Sequence, residues 1–136
     1  MYSFEKLEIW QLSLDLVEKI YDVTERLPED EKFGLISQLK RASVSVSLNI
    51  AEGRASDSDL EFRRFLGIAL KSLIEIIACM KICERLRFLD NITVSNICGF
   101  CDKIEAKIRK FRSTLSKGRN ALATKSVKRK ASSVKR

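Results

Sequence analysis

Residues 43–48 read Ser43-Val44-Ser45-Val46-Ser47-Leu48, and the fold class turns on this stretch. β-Branched residues alternating with serine carry the period-two pattern of a half-buried strand. The chain on either side carries helical spacing instead. A lone strand here would have no partner and would leave its backbone N–H and C=O groups unpaired. The stretch is therefore read as the middle of a helix, whose small residues Ala42, Ser43, Ser45 and Ser47 let a neighbouring helix approach closely.

Outward from this helix, Pro28-Glu29-Asp30-Glu31 supplies its opening, with proline near the first turn and acids facing the positive end of the dipole. Gly53 supplies its stop. Upstream, Leu7, Trp10, Leu14, Val17 and Tyr21 form the main stripe of a first helix that ends at Leu27-Pro28. A second stripe, Ile9, Leu12, Leu16, Ile20 and Val23, lies roughly 140° away, and the arc between them holds Ser13, Thr24 and Lys6. On this reading Trp10 is buried. The second stripe, with Leu16 at its centre, either touches another helix of the bundle or forms a subunit interface.

Downstream, Ser56, Asp57, Ser58 and Asp59 offer N-caps, and apolar residues from Phe62 to Leu86 keep helical spacing with no breaker, which predicts the longest helix. Asp90, Asn91 and Thr93 supply turn and cap chemistry. Val94, Ile97, Cys101, Ile104, Ile108, Phe111 and Leu115 then repeat at three and four, an a/d seam. With 45% apolar residues, five Gly and one Pro, composition agrees with long helices. The expected fold is all-α: an antiparallel up-down four-helix bundle over residues 1–116, followed by a basic, disordered tail at 117–136.

Charge is unevenly placed. Residues 1–116 hold 18 basic and 18 acidic side chains, whereas 117–136 hold eight basic and no acidic ones. Residues 101–136 hold 13 basic and two acidic. Such polarity suits phosphate contacts, which give affinity without sequence readout. The candidates are Lys103, Lys107, Lys110 and Arg112 in the fourth helix and Lys117, Arg119, Lys125, Lys128, Arg129 and Lys130 in the tail. The competing reading is a protein–protein scaffold whose tail only solubilises. Aromatic residues for base stacking are nearly absent from this region.

Catalytic chemistry has little to stand on. There is no histidine, hence no Ser-His or Cys-His dyad. There is no phosphate-binding glycine loop, and Asp57 with Asp59 reads as capping. No cofactor is expected, and a nuclease or maturase acting on RNA is disfavoured for want of a clustered acidic metal site. Cys79, Cys83, Cys98 and Cys101 could in principle hold zinc, but Cys83 and Cys101 fall on apolar seams, so core packing is favoured and no metal site is assigned. No apolar run approaches the roughly 18–20 residues of a membrane helix, and MYSFEKLEIW carries acids where a signal peptide is basic, so a soluble, cytoplasmic protein with reduced thiols is expected.

Phe33-Gly34-Leu35, Gln38-Leu39-Lys40-Arg41-Ala42, Ser45 and Asn49-Ile50-Ala51-Glu52-Gly53-Arg54 resemble the four-helix-bundle family encoded in intervening sequences of bacterial 23S rRNA genes. That family is related in fold to accessory variability proteins of diversity-generating retroelements. The resemblance extends to Phe4, Leu7, Trp10, Pro28, Glu31 and Phe62-Arg63-Arg64-Phe65-Leu66 through Ala69, Ser72 and Glu75, and covers about residues 3–115. It implies assembly into a homopentameric ring or barrel, no catalysis, and a nucleic-acid or reverse-transcriptase partner. The chain departs from the pattern at Lys71 and in the tail beyond Gly118. Read from the residues themselves, Gln38, Arg41, Asn49, Glu52 and Arg54 are polar groups beside an apolar helix and must pair if buried, with Glu75 or Arg64 on the next helix.

Because the core seams end at Leu115, a chain of residues 1–117 is expected to keep the helicity and thermal midpoint of the full chain in circular-dichroism melting. A cooperative loss of structure on truncation would contradict that placement of the core.

Overall fold

The Ser-Val alternation is helical. In the computed structural model, which describes residues 1–118, it lies within α2 (Leu35–Arg54), between α1 (Glu8–Thr24) and α3 (Asp59–Arg85), with α4 (Asn91–Arg112) completing the bundle. No strand occurs among the described residues. Two of the three serines in the alternation find partners for their side chains. Ser43 Oγ donates to the Lys40 carbonyl at 3.0 Å, while Ser45 Oγ accepts from Ser72 Oγ of α3 at 2.9 Å and from Asn49 Nδ2 at 3.0 Å. No buried side-chain polar atom among the described residues lacks a hydrogen bond.

Cross-helix contacts fix the topology. Arg41 meets Glu75, Ser45 meets Ser72 and Gly53 meets Phe62, so numbers rise along α2 as they fall along α3. Glu8 with Lys107 and Arg26 with Thr93 set α1 antiparallel to α4 in the same way. No Cα of α1 comes within 8 Å of α3, nor of α2 with α4, so these pairs lie on the diagonals of the bundle. Leu16, Ile20, Leu39, Val46, Ile50, Leu66, Leu73, Ile76, Met80, Val94, Ile104 and Ile108 fill the middle.

The helix ends follow from local chemistry. Ser58 Oγ accepts from Glu61 N–H at 3.1 Å and caps α3; Asp90 Oδ1 accepts from Thr93 N–H at 2.8 Å and caps α4. Past α3, Arg87 turns left-handed at φ 65°. Its N–H reaches Glu84 O, and Phe88 N–H reaches Cys83 O, both at 2.9 Å, which satisfies carbonyls that the helix end would orphan.

Three expectations are corrected. On α1 the stripe of Ile9, Leu16, Ile20 and Val23 is the buried one, whereas Leu14 and Tyr21 of the supposed main stripe stand 44% and 40% exposed. Trp10 is half-buried, packed edge-to-face on Phe4 at 4.9 Å rather than inside the core. Leu16 faces its own bundle and cannot be a subunit contact. The arc between the stripes is buried as well, because Ser13 and Thr24 turn their hydroxyls onto the carbonyls of Trp10 and Tyr21. Second, Glu29–Glu31 forms only a single 3-10 turn. The Glu31 carboxylate instead accepts from Leu35 N–H at 3.2 Å, and α2 starts there. Third, Gly53 does not stop α2; it lies buried inside the last turn, where an added Cβ would stand 2.6 Å from Phe62 Cδ1 and 2.9 Å from Phe65 Cβ.

A helical glycine replaced by alanine usually gains about 0.5–1 kcal/mol. Around Gly99 of α4 an added Cβ would meet nothing within 4 Å, so Gly99→Ala is expected to gain that amount. Gly53→Ala is expected to lose stability instead, since the methyl must displace two phenylalanines. Urea midpoints of the two variants, moving in opposite directions, check the pair.

Candidate nucleic-acid interface

The basic residues of α4 divide into two groups once their surroundings are considered. Lys103 and Lys110 are exposed and seven residues apart, hence on one outward face, and neither enters an ion pair among the described residues. Lys103 Nζ lies 5.9 Å from the centre of the Phe100 ring, whose other cationic neighbour is Lys19 of α1 at 5.0 Å. Lys117, also exposed, lies just beyond the helix. Lys107 is held by Glu8 of α1 at 3.4 Å, and Arg109 by Glu105 at 3.0 Å.

Arg112 belongs to neither set of free cations. Its Nε donates to the Arg63 carbonyl at 3.1 Å, and Arg63 Nη1 donates back to the Arg112 carbonyl at 2.8 Å, a reciprocal clasp between α3 and the end of α4. Burial, with Arg63 and Arg109 nearby, holds its pKa below the ordinary value of an arginine. Gly67 makes room for this: an added Cβ there would stand 3.3 Å from Arg112 Nη2. Arg112, a phosphate-binding candidate by sequence, thus has its guanidinium engaged between α3 and α4. The chain then leaves along α3, with Ser116 N–H donating to Asp59 Oδ2 at 2.9 Å. Arg119, Lys125, Lys128, Arg129 and Lys130, and all but the first two residues of the tail expected at 117–136, lie outside the described residues.

The polar motif of α2 assembles only in part. Arg41 donates to Gln38 and pairs with Glu75 of α3 at 3.4 Å, while Asn49 Nδ2 donates to Ser45 O at 2.8 Å. Glu52 and Arg54 are exposed, and their side chains hydrogen-bond to nothing among the described residues. Arg64, offered as a partner, pairs with Glu61 of its own helix at 2.7 Å. The polar groups thus form a surface clamp over the α2–α3 seam, with the Asn49-Ser45-Ser72 chain as its inner part.

Cys79, Cys83 and Cys101 are buried and Cys98 half-buried. Desolvation raises all four thiols, Cys83 to about 11 and Cys101 to about 12, the opposite of what a thiolate ligand or nucleophile requires. Among the described residues no group of His, Cys, Asp or Glu is placed to hold a metal ion, and no helix is long and apolar enough to cross a membrane.

These features define an all-helical protein of four packed helices whose exposed cations gather toward its C-terminal end. The model of the family described as 23S rRNA-intervening sequence protein matches residues 5–110, and the chain belongs to that family. Its fold is similar to the crystal structure of a protein of unknown function from the S23 ribosomal protein family of Bacteroides thetaiotaomicron. The two superpose with a TM-score of 0.72 at 22% identity, over 78% of this chain and 99% of that one. No curated protein sequence matches the chain.

Replacing Arg112 with alanine removes one side of the clasp. It should lower stability by roughly 1–2 kcal/mol, a charge-assisted hydrogen bond discounted for its partial exposure. Lys103→Ala should leave the thermal midpoint nearly unchanged. Denaturant unfolding of both variants separates the structural cation from the free one, and equal losses would sink the distinction.

Proposed function

We propose that the protein is a non-enzymatic, oligomeric bundle that binds nucleic acid by phosphate contacts in the cytoplasm. The observation that carries this reading is the 13-to-two excess of basic over acidic side chains in residues 101–136, set against 13 basic and 16 acidic in residues 1–100. The unpaired, outward Lys103 and Lys110 support it, and with Lys117 they lead toward the seven further cations of residues 119–136. Phosphate contacts of this kind position a protein on nucleic acid without reading sequence. Membership of the 23S rRNA-intervening sequence protein family supports a ribosomal RNA context for the partner. Assembly as a homopentameric ring or barrel, and a role as accessory factor to a reverse transcriptase, rest on the resemblance to retroelement accessory proteins.

The test is a salt titration of RNA and DNA binding for the full chain, for residues 1–117 and for Lys103→Ala/Lys110→Ala. Each lost phosphate contact should flatten the log–log salt slope by about 0.7–0.9. The truncation should therefore lose most of the slope and the double variant somewhat less than two contacts' worth. Binding that is weak and indifferent to both changes would leave the scaffold reading, with a tail that only solubilises. Cleavage of the RNA on adding magnesium would overturn the non-enzymatic reading.

A further inference from the structure

The outward faces of α1 and α3 carry opposite charge, and each leaves apolar side chains in solvent. On α3, Ile68, Ile74 and Ile82 are 45%, 55% and 47% exposed and are interspersed with exposed Lys71, Lys81 and Arg85. On α1, exposed Leu14 and Tyr21 stand beside Asp15, Glu18, Asp22 and Glu25. None of these seven charged groups enters an ion pair among the described residues. Of the charges that would blur the contrast, one cation, Lys40 of α2, sits over the Tyr21 ring at 4.7 Å, and the others are engaged elsewhere. Lys19 rests over Phe100, Arg26 donates to Thr93, and on α3 Glu75 is engaged by Arg41.

The two faces cannot satisfy each other within one chain, because α1 and α3 sit on a diagonal of the bundle. We propose that the acidic α1 face of one copy docks on the basic α3 face of the next. This is a head-to-tail contact between copies of this chain, and it gives a surface to the oligomer in the function proposed above, on which it rests. Pairing α1 with α1 or α3 with α3 about a two-fold axis would set like charges against each other, so the contact is heterologous. At 1.5 Å per helical residue, the acids from Asp15 to Glu25 span about 15 Å and the cations from Lys71 to Arg85 about 21 Å, so the acidic strip fits within the length of the basic one. Burying Leu14 and Tyr21 against the isoleucines supplies the apolar centre that charge alone lacks. An anionic membrane is the other occupant a basic, apolar helix face could take. The second copy is favoured because the complementary acidic and apolar face stands on the same chain.

The test uses the full chain and two double variants, Glu18→Lys/Asp22→Lys on α1 and Lys71→Glu/Lys81→Glu on α3. Mass is measured by light scattering at low and high salt, and folding is checked by circular dichroism. The wild type should show a multiple of 15.6 kDa that falls toward the monomer as salt rises. Each variant alone should be monomeric with unchanged helicity. An equimolar mixture should regain mass above the monomer, since each altered face then finds its complement, although strict alternation of the two variants excludes a closed ring of five. If a variant misfolds, Asp15→Lys/Glu25→Lys and Arg85→Glu replace it. A monomeric wild type, variants that stay oligomeric, a mixture that stays monomeric, or wild-type monomers gathering on anionic vesicles would each overturn the proposal. RNA binding measured on the same samples keeps the two readings apart: a monomeric wild type that still binds RNA sinks the interface alone, and a correctly assembling protein that binds none sinks the nucleic-acid function alone.

Discussion

The close approach of α2 and α3 is the constraint on which the rest of the bundle depends. Gly53 against Phe62 and Phe65, and Ser45 against Ser72, bring the two helices together through side chains that are absent or no larger than a hydroxymethyl. Polar atoms buried in such a seam must be paired, and the Asn49-Ser45-Ser72 chain pairs them within the protein. With that pair fixed, α1 and α4 have only one apolar trough left to fill, and they fill it as antiparallel neighbours with Leu16, Ile20, Ile104 and Ile108.

This constraint explains what the chain reveals of its fold and what it conceals. The α4 seam is legible because one stripe alone is apolar there, and Val94, Ile97, Cys101, Ile104 and Ile108 are all buried. The Ser-Val alternation was legible only through its neighbours, since period two alone points to a strand. On α1, two stripes of equal length compete, and spacing cannot choose between them. The choice depends on which side α2 and α4 occupy. The polar arc decides it, because Ser13 and Thr24 can be buried at little cost by bonding back to the carbonyl three residues earlier. Gly53 was read as a stop for a similar reason: a glycine near a helix end fits both a C-cap and a close approach, and only the partner helix distinguishes them.

Of the candidate site, the excess of positive charge was legible by counting and the division of labour was not. Lys103 and Arg112 look alike as basic residues on one helix. Yet Arg112 exchanges hydrogen bonds with the backbone of Arg63, while Lys103 stays in solvent. The planar guanidinium suits this role, since it can donate sideways to a carbonyl while its own main chain accepts from a second arginine. The only signal in the chain was indirect: Gly67, an unfavourable helix residue, stands where Arg112 crosses α3.

The corrected orientation of α1 changes where assembly must be sought. With Leu16 inside the core, the contact proposed between copies falls instead on the outward faces of α1 and α3. A head-to-tail contact between helices that run in the same direction keeps every copy pointing the same way along the assembly axis. The chain leaves each bundle past the Ser116–Asp59 hydrogen bond, at the end where α4 finishes and α1 begins. In such an assembly Gly118 and the exposed Lys110 and Lys117 of every copy would lie at one rim. Under the function proposed above, several cations at one rim would meet a polyanion at high effective concentration, so a body with no net charge would present a basic face once assembled.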